Sequence, residues 1–364
     1  MEKNISVSIE SIQQIPPAQS QPISWQQAVG SYQQSDLRRS ILQILTSIPP
    51  FFLMWYVTYR SLQFSYLVTL VLAFFTAMFA MRCFIILHDC GHSSFFKSKR
   101  ANDFFGVITG IITFTPYFAW RHSHAIHHAT AGDLDRRGIG DVWTLTYAEY
   151  QKLSFGMRLF YRIYRNPFVI FGIGPTIDFV VLQRLPMVNV SKKAREKNSV
   201  VFTNLTLLAL AIVISLLIGV REFILVQLPV IAFASSTGVF LFYVQHQYEN
   251  VYWERHEQWN FAEAALHGSS FFRMPRIWQW FTGNIGFHHI HHLSPRIPNY
   301  NLEACHYENA MFEEVEVMTW RTSLKSLRIR LFDEDHGKMI GYHRDEAEAA
   351  TDELATGLSA QPTT

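Results

Sequence analysis

Histidines in three short windows are the residues of this sequence whose spacing most directly predicts chemistry. Of the 16 histidines, ten fall within residues 88–92, 122–128 and 288–292. In the first window, His88 and His92 stand at positions i and i+4. This spacing places two imidazoles about 5 to 6 Å apart on one helix face, where both can bind one metal ion.

The second and third windows share the spacing HxxHH, in which the first histidine is followed by two more at i+3 and i+4. Side chains at these positions lie on the same side of a helix. A lone HxxxH pair is also typical of histidines at a membrane interface, and a single HxxHH pattern is a better indication of metal binding. Three windows in one chain favour a shared metal site. The histidines in the two HxxHH patterns are His124, His127, His128, His288, His291 and His292.

The number of these histidines exceeds the needs of one metal ion. Structural zinc takes four protein ligands and catalytic zinc takes three with a water, so eight imidazoles predict two metal ions. Imidazole ligands without thiolates suit iron, copper, nickel or zinc, and the spacing alone does not distinguish these metals.

The elements that carry the histidines are predicted to be membrane helices. Hydrophobic residues make up 49% of the chain and charged residues only 16%, a balance that indicates a membrane protein. Uncharged runs long enough to approach the hydrocarbon thickness predict four transmembrane helices in two hairpins. Pro49 and Pro50 are predicted to kink the first of them. The predicted spans are residues 41–59, 61–87, 198–220 and 223–245.

A shorter apolar run at residues 104–119 is predicted to be interfacial or re-entrant. The run at residues 168–182, which carries Asp178, is predicted to lie against the membrane surface. Two crossings before His88 and two more after residue 197 return the chain to the same side, so all histidine windows share one face. Lys and Arg flank the spans on that face, which is therefore predicted to be cytoplasmic. The basic flanks are Arg38, Arg39, Lys97, Lys99, Arg100, Lys192, Lys193, Arg195 and Lys197.

The predicted fold is therefore an all-α integral membrane protein with a helical cytoplasmic cap that holds the histidines. Residues 38–332 form this membrane domain, and the cap comprises residues 88–197 and 246–332. A flexible N-terminal tail and a disordered C-terminal tail are predicted at residues 1–37 and 333–364, with both termini cytoplasmic.

Net charge and cysteine content exclude several other classes of protein. The net charge of +2 gives no broad positive field for nucleic acid, so no nucleic-acid partner is expected. The three cysteines lack metal-ligand spacing and argue against a disulfide framework or a thiolate zinc site.

The sequence resembles the membrane fatty acid desaturase family, particularly bacterial acyl-lipid desaturases. The resemblance lies in the three histidine windows and in the stretch GNIGFHHIHHLSPRIPNYNL at residues 283–302. HHATAGDLDRRGIGDVWTLT after the second window belongs to the same resemblance, which covers residues 82–306. The resemblance implies a di-iron centre of two iron ions that change between Fe2+ and Fe3+. It also adds His246, at the end of the last predicted span, as a ninth ligand. The implied iron ligands are His88, His92, His124, His127, His128, His246, His288, His291 and His292.

Further residues are predicted to lie around the ligands. A metal-bound histidine usually donates its other N–H group to a carboxylate or carbonyl, and this makes five nearby polar residues candidates for hydrogen bonds to the ligands. They are Asp89, Asp133, Asp135, Glu249 and Asn284. Five other histidines fall outside the spacing and are expected to pack locally or to support the ligands. They are His122, His256, His267, His289 and His306.

The resemblance implies oxygen-dependent desaturation of fatty acyl chains in membrane lipids, with a cis double bond as product. The two electrons that O2 reduction requires would come from an external ferredoxin, flavodoxin or similar carrier, because the sequence contains no haem-domain HPGG motif or dinucleotide fingerprint. The implied location is the bacterial inner membrane. The sequence does not determine the position of the double bond, for which delta-5 and delta-12 are the alternatives. It also does not determine whether the acyl chain is attached to glycerolipid, coenzyme A or carrier protein.

Two other functions compete with this interpretation. A di-iron membrane hydroxylase or carotenoid ketolase would use the same histidines, and the long match around the third window favours desaturation over both. A histidine-rich metal transporter would need polar or charged groups inside the membrane. The spans at 61–81, 198–220 and 223–245 contain no charged residue, which argues against transport.

Overall fold

Helices form most of the chain in the computed structural model, which describes residues 24–185 and 193–343. Lys192 and the parts of the two predicted tails at residues 1–23 and 344–364 lie outside the described residues. The first nine helices are α1 (Trp25–Gly30), α2 (Leu37–Leu45), α3 (Ile48–Ser61), α4 (Tyr66–His92), α5 (Lys99–Ile112), α6 (Tyr117–Thr130), α7 (Tyr147–Lys152), α8 (Phe155–Tyr164) and α9 (Gly174–Val180). The others are α10 (Ala194–Ile218), α11 (Val220–His246), α12 (Phe261–His267), α13 (Arg276–Phe281), α14 (His288–Leu293), α15 (Asn299–Tyr307) and α16 (Trp320–Ser326).

Four helical segments among the described residues are long and apolar enough to cross a membrane, as the sequence predicted. They are Leu37–Ser61, Tyr66–His92, Ala194–Ile218 and Val220–His246. The first segment consists of α2 and α3, which are separated at residues 46–47, just before Pro49 and Pro50 in the first turn of α3. Proline lacks an N–H group and collides with the preceding turn, so it starts a helix here and interrupts the span.

Two of the predicted boundaries are wrong. The second span begins at Tyr66 rather than at residue 61, because residues 62–65 form a turn, and it continues through the first histidine window to His92. The last two spans meet at Gly219, not at Arg221 and Glu222, which lie in the first turn of α11. Gly219 has φ +100°, a conformation that only glycine adopts without strain, so the chain reverses at the glycine rather than at the charges.

We expect Gly219→Ala to lower the free energy of unfolding by about 1–3 kcal/mol, because a side chain is strained at this φ. A Cβ atom here would also meet the carboxylate of Glu222. Thermal unfolding in detergent would measure the effect. The control is Gly156→Ala in α8, where nothing lies within 4 Å of an added Cβ and no loss of stability is expected. Equal behaviour of the two variants would contradict the assignment of this turn.

The two shorter apolar runs are helical but interrupted. Residues 104–119 form the end of α5 and the start of α6, and the two helices are separated by a turn that ends at Pro116. The other run forms a π-helical turn, Val169–Ile173, followed by α9. Together with α8, the segment Val169–Arg184 would be long and apolar enough for a further span, bent by 55°.

The described chain is not all-α, because it also contains five short strands. They are β1 (Leu145–Thr146), β2 (Phe271–Phe272), β3 (Val317–Met318), β4 (Leu331–Asp333) and β5 (Lys338–Ile340). β1 pairs in parallel with β4, which pairs antiparallel with β5, and β2 pairs in parallel with β3. The prediction that a disordered tail starts at residue 333 is therefore wrong, since Phe332 and Met339 are buried in the core.

The predicted flexible N-terminal tail is also wrong for residues 24–37. This part contains α1, whose Val29 is fully buried and packs with Phe287 and Leu302 from the chain around α14. Because Gln, Ser and Pro dominate the composition of this region, the short apolar contact surface of α1 was not predicted from the sequence.

Helix α4 lies at the centre of the membrane helices and packs against α3, α5 and α11. Its small residues Ala73, Ala77 and Ala80 are buried and allow neighbouring backbones to approach closely. The last turn of α4 carries His88 and His92, and α11 ends at His246. This packing therefore fixes the first metal-ligand candidates at the adjoining ends of two long helices.

Candidate metal centre

The nine histidines that the sequence and the resemblance singled out converge in space. Among the described residues they form two groups, and the potential ligand atoms within each group all lie within 4.8 Å of one another. We call them group one and group two. Group one contains His88, His92, His124, His128 and His291. Group two contains His127, His246, His288 and His292.

The HxxHH spacing explains how two helices serve both groups. Neighbouring residues of a helix point about 100° apart, so two adjacent histidines can face different ions. In α6, His128 therefore joins group one while His127 joins group two. In α14, His291 and His292 separate in the same way. Helices α6 and α14 therefore contribute histidines to both groups and lie between them.

The two groups differ in their exposure. All four side chains of group two are buried, whereas His92 and His124 of group one are only partly buried. Trp120 stacks on His124, with 4.4 Å between ring centroids and 20° between planes. The edge of group one at His92 and His124 is therefore the side of the centre nearest to the protein surface.

Imidazole nitrogens face each other at hydrogen-bond distance inside the centre. The Nε2 atoms of His246 and His288 are 2.9 Å apart, and those of His127 and His292 are 3.2 Å apart. In group one, Nε2 of His128 lies 2.9 Å from that of His291 and 3.2 Å from that of His124.

Three of the rings make a hydrogen bond through Nδ1 on their outer side, which indicates that Nε2, the nitrogen that faces the centre, carries a lone pair. Nδ1 of His246 donates to the carbonyl of Gly268 at 3.0 Å, and Nδ1 of His127 donates to Asp141 at 2.5 Å. Nδ1 of His88 lies 3.2 Å from the Asp89 carboxylate. A neutral ring that holds its hydrogen on Nδ1 presents a lone pair at Nε2. Lone pairs that face each other at these distances repel unless a cation lies among them.

Burial favours the neutral, metal-binding form of three rings in the centre. Burial, followed by the charge of neighbouring rings, lowers the pKa of His128, His291 and His292 well below the usual value. Several polar atoms in the centre are buried without a hydrogen-bond partner among the described residues, namely Nε2 of His92, Nδ1 of His128 and Nδ1 of His288. Neutral imidazole is the form that binds transition metals.

The arrangement fits two transition-metal ions. Five nitrogens in one group and four in the other exceed what one ion coordinates, and calcium and magnesium prefer oxygen ligands. A cavity of about 20 Å³ lies directly against group two and touches His127, His246, Phe242 and Asp141. This volume admits about one water-sized molecule. A small reactant can therefore contact group two, whose remaining surroundings are enclosed.

The predicted hydrogen-bond partners of the ligands are only partly confirmed. Asp89 contacts His88, as expected. The predictions for Asp133 and Asp135 are wrong, because the first binds His256 and Arg136 and the second binds Arg255.

Two other predicted partners also make different contacts. Asn284 donates to the carbonyl of Asn299 rather than to a ligand ring. The backbone carbonyl of Glu249 accepts a hydrogen bond from the N–H group of Met339.

Sequence reasoning missed Asp141 and the carbonyl of Gly268 as partners of the ligands. Asp141 belongs to the GIGDVW stretch after the second window, but nothing in its spacing marks it as a partner of His127. Gly268 contributes only backbone, so no side chain signals it.

The histidines predicted to lie outside the ligand set make local contacts in the structure. His289 lies 3.2 Å from His306, and His267 lies 3.6 Å from Glu263. In the described part of the chain, none of the five histidines His122, His256, His267, His289 and His306 belongs to either group.

Comparison with known proteins identifies related sequences. The family model for fatty acid desaturase matches residues 64–322. The chain is 46% identical over 314 residues to a fatty acid desaturase of Bacillus subtilis (strain 168), covering 86% of this chain and 89% of that protein. It is 30% identical to the sn-1 oleoyl-lipid 12-desaturase of Synechocystis sp. (strain ATCC 27184 / PCC 6803 / Kazusa), covering 70% and 73% of the two chains. It is 26% identical to the sn-1 acyl-lipid omega-3 desaturase (ferredoxin) of Nostoc sp. (strain 36), covering 60% and 61%.

Proposed function

Because this chain belongs to the fatty acid desaturase family, we propose that it introduces a cis double bond into fatty acyl chains of membrane lipids. The protein is an oxidoreductase of the membrane. The observation that carries the proposal is the convergence of nine histidines into two adjacent groups at the ends of α4 and α11.

Each group would hold one iron ion. The proposed ligands of the first iron are the five histidines of group one, and those of the second are the four of group two. Asp141, Asp89 and the carbonyl of Gly268 fix the orientation of three of these rings from the outside. Such outer hydrogen bonds hold the ring tautomer and keep the nitrogen that faces the ion free to bind.

Desaturation needs an oxidant because a methylene inside an acyl chain has no acidic proton that a side chain could remove. When bound, the irons would supply this oxidising chemistry from dioxygen. The overall reaction converts –CH2–CH2– and O2, with two electrons and two protons, into –CH=CH– and two molecules of water. The buried surroundings of group two, with a small cavity beside it, keep bulk water away from the reacting atoms.

The proposed substrate is an acyl chain that is already part of a membrane lipid. Two of the relatives are named for lipid-bound acyl chains, the oleoyl-lipid and acyl-lipid desaturases of Synechocystis and Nostoc. The long helices expose large apolar side chains over much of their length, among them Leu67, Leu208 and Leu216. A lipid that reaches the enzyme laterally in the bilayer would avoid transfer of its acyl chain through water.

The proposed orientation places the histidines and both termini on the cytoplasmic side of a bacterial inner membrane. Basic residues flank the spans on the side where α4 and α11 end, and positive charge is typical of cytoplasmic flanks. The remaining helices between α4 and α10, and those after α11, would form the cap over the two groups.

The proposed electron donor is a small acidic carrier such as a ferredoxin or flavodoxin. We define the basic patch as Lys99, Arg100, Arg121 and Arg195, which surround Asp103. Arg121 and Arg195 both pair with Asp103, and the other two lie one helical turn before it on α5. Arg121 also approaches Ser93, which follows His92. The patch therefore adjoins the partly exposed edge of group one, where an acidic carrier would be attracted.

Charge reversal in the basic patch tests this docking. We expect Lys99→Glu with Arg100→Glu to raise KM for the acidic carrier about threefold to tenfold at low salt and less at high salt, because salt screens exposed charges. Steady-state kinetics against carrier concentration would measure it. The control is Lys325→Glu, an exposed lysine on α16. An unchanged KM in the patch variant, or an equal rise in the control, would contradict docking at this patch.

Expression in a host with saturated lipids tests the proposed function. Gas chromatography of the host's fatty acids should show new cis-unsaturated chains that require O2 and both histidine groups. Hydroxylated chains would instead indicate the hydroxylase alternative. Unchanged fatty acids despite membrane-inserted protein and a supplied electron carrier would overturn the proposal.

A further inference from the structure

Asn299 lies outside both histidine groups, yet it is linked to group one through a buried chain of hydrogen bonds. The side chains of Asn299, Asp89 and His88 are almost completely buried. One carboxylate oxygen of Asp89 lies 3.2 Å from Nδ1 of His88, and the other accepts two hydrogen bonds from Asn299. Asp89 thus joins a metal-ligand candidate on α4 to the first residue of α15.

The bonds between Asn299 and Asp89 use both the backbone and the side chain of the asparagine. The backbone N–H group donates at 2.7 Å and the side-chain amide at 2.8 Å, both to Oδ2 of Asp89. Helix α15 begins at Asn299, and the preceding Pro298 offers no capping side chain. The Asp89 carboxylate therefore takes the place of a cap, because it accepts an N–H group that a helix leaves unpaired at its start.

Asn299 is itself held by two further elements. Its side-chain amide nitrogen also donates to Oε1 of Gln43 on α2 at 3.2 Å, and its backbone carbonyl accepts from the side chain of Asn284 at 3.3 Å. Asn299 is thus held between the first membrane segment and the loop before α14. A fixed donor on Oδ2 leaves Oδ1 of Asp89 directed at His88.

We infer that Asn299 is a positioning residue for group one, and that it acts through Asp89 on His88. It touches no candidate ligand itself. Group two has a different arrangement, because its carboxylate, Asp141, lies on the loop between α6 and α7 and makes its second bond to the backbone of Gly138. Removal of the Asn299 side chain should therefore weaken binding of the ion in group one and leave binding of the ion in group two unchanged. This inference rests on the proposed function, since it assumes one iron in each group.

The test measures iron loss from the purified full-length protein in the presence of a chelator. Asn299→Ala should release one of two irons about tenfold faster than the wild type, the usual scale for an outer hydrogen-bond partner. The matched control is Asn301→Ala on the same helix, whose side chain bonds to Arg39 and to the carbonyl of Tyr32. Both variants weaken the attachment of α15 and should lower Tm, but only Asn299→Ala should accelerate iron loss. If Asn299→Ala does not fold, Asn299→Ser replaces it.

Ligand variants identify which iron responds. In a background that combines His92→Ala with His124→Ala, which leaves three imidazoles in group one and is expected to lack its iron, Asn299→Ala should leave the remaining iron's release rate unchanged. In a His246→Ala background, which lacks the iron of group two, it should speed release about tenfold. Equal release rates in Asn299→Ala and the wild type, or equal acceleration in both backgrounds, would overturn the inference. A wild type without iron would instead refute the proposed function.

Discussion

Replacing His127 by alanine is expected to lower desaturase activity about a hundredfold or more and to release the iron proposed for group two. His127 is buried, and its Nε2 atom lies 3.2 Å from that of His292. Without it, group two retains three imidazoles and a cavity in place of the fourth. Loss of a ligand is expected to exceed the 10–100-fold effects seen for outer partners of metal ligands. Metal analysis and product formation by gas chromatography would measure the two effects.

The matched control is His122→Ala. His122 lies on the same helix, five residues earlier, and belongs to neither group in the described part of the chain. Its replacement is expected to leave iron content and product unchanged. Normal desaturation by His127→Ala, or equal losses in both variants, would contradict the assignment of His127, and not His122, to a metal-binding group.

Asp141→Asn is expected to lower iron affinity and activity about 10–100-fold, as is typical for partners of metal-bound histidines. Asp141 accepts the Nδ1 hydrogen of His127 at 2.5 Å, which fixes the ring and leaves Nε2 free for the ion. An asparagine of the same shape can turn its amide N–H2 group toward His127 and then favours the other tautomer. Chelator competition would measure affinity independently of activity.

Asp135→Asn is the matched control for this variant. Asp135 follows the second window more closely in the sequence than Asp141 does, but its side chain is 43% exposed and pairs with Arg255. An exposed ion pair of this kind contributes little, so iron affinity should stay within about twofold of the wild type. A larger effect in Asp135→Asn than in Asp141→Asn would contradict the assigned orientation of the loop.

The membrane helices were predictable because lipid imposes a simple rule on sequence. A span needs about 20 consecutive apolar residues, and this length is visible without knowledge of the fold. Turns follow a different rule, which explains the error between α10 and α11. The charges of Arg221 and Glu222 suggested the turn, but backbone conformation places it at Gly219.

The strand pair β4–β5 was missed because composition averages over a whole segment. Acidic residues dominate the chain after residue 333, but Met339 and Ile340 are buried against the core. A two-residue contact of this kind does not produce a long apolar pattern. Pairing with residues 145–146, almost two hundred positions away, cannot be read from local sequence.

The nine histidines were identifiable because helical spacing and the resemblance both mark them. Their division into two groups depends on how α4, α6, α11 and α14 pack together. The spacing of histidines along the chain carries no information about this packing. The outer partners were the least predictable part of the site. Asp133 follows Gly132, where φ is +75°, and its carboxylate then faces His256 rather than the ligands.

Iron content of the purified wild-type protein is the most direct test of the central claim. The proposed function predicts two irons per chain, and a variant that combines His127→Ala with His291→Ala, which removes one ligand from each group, should contain fewer than two. Mössbauer spectroscopy of the wild type should report two iron sites in distinct surroundings. An active protein with fewer than two irons, or a double variant that keeps both, would contradict a centre built from these two histidine groups.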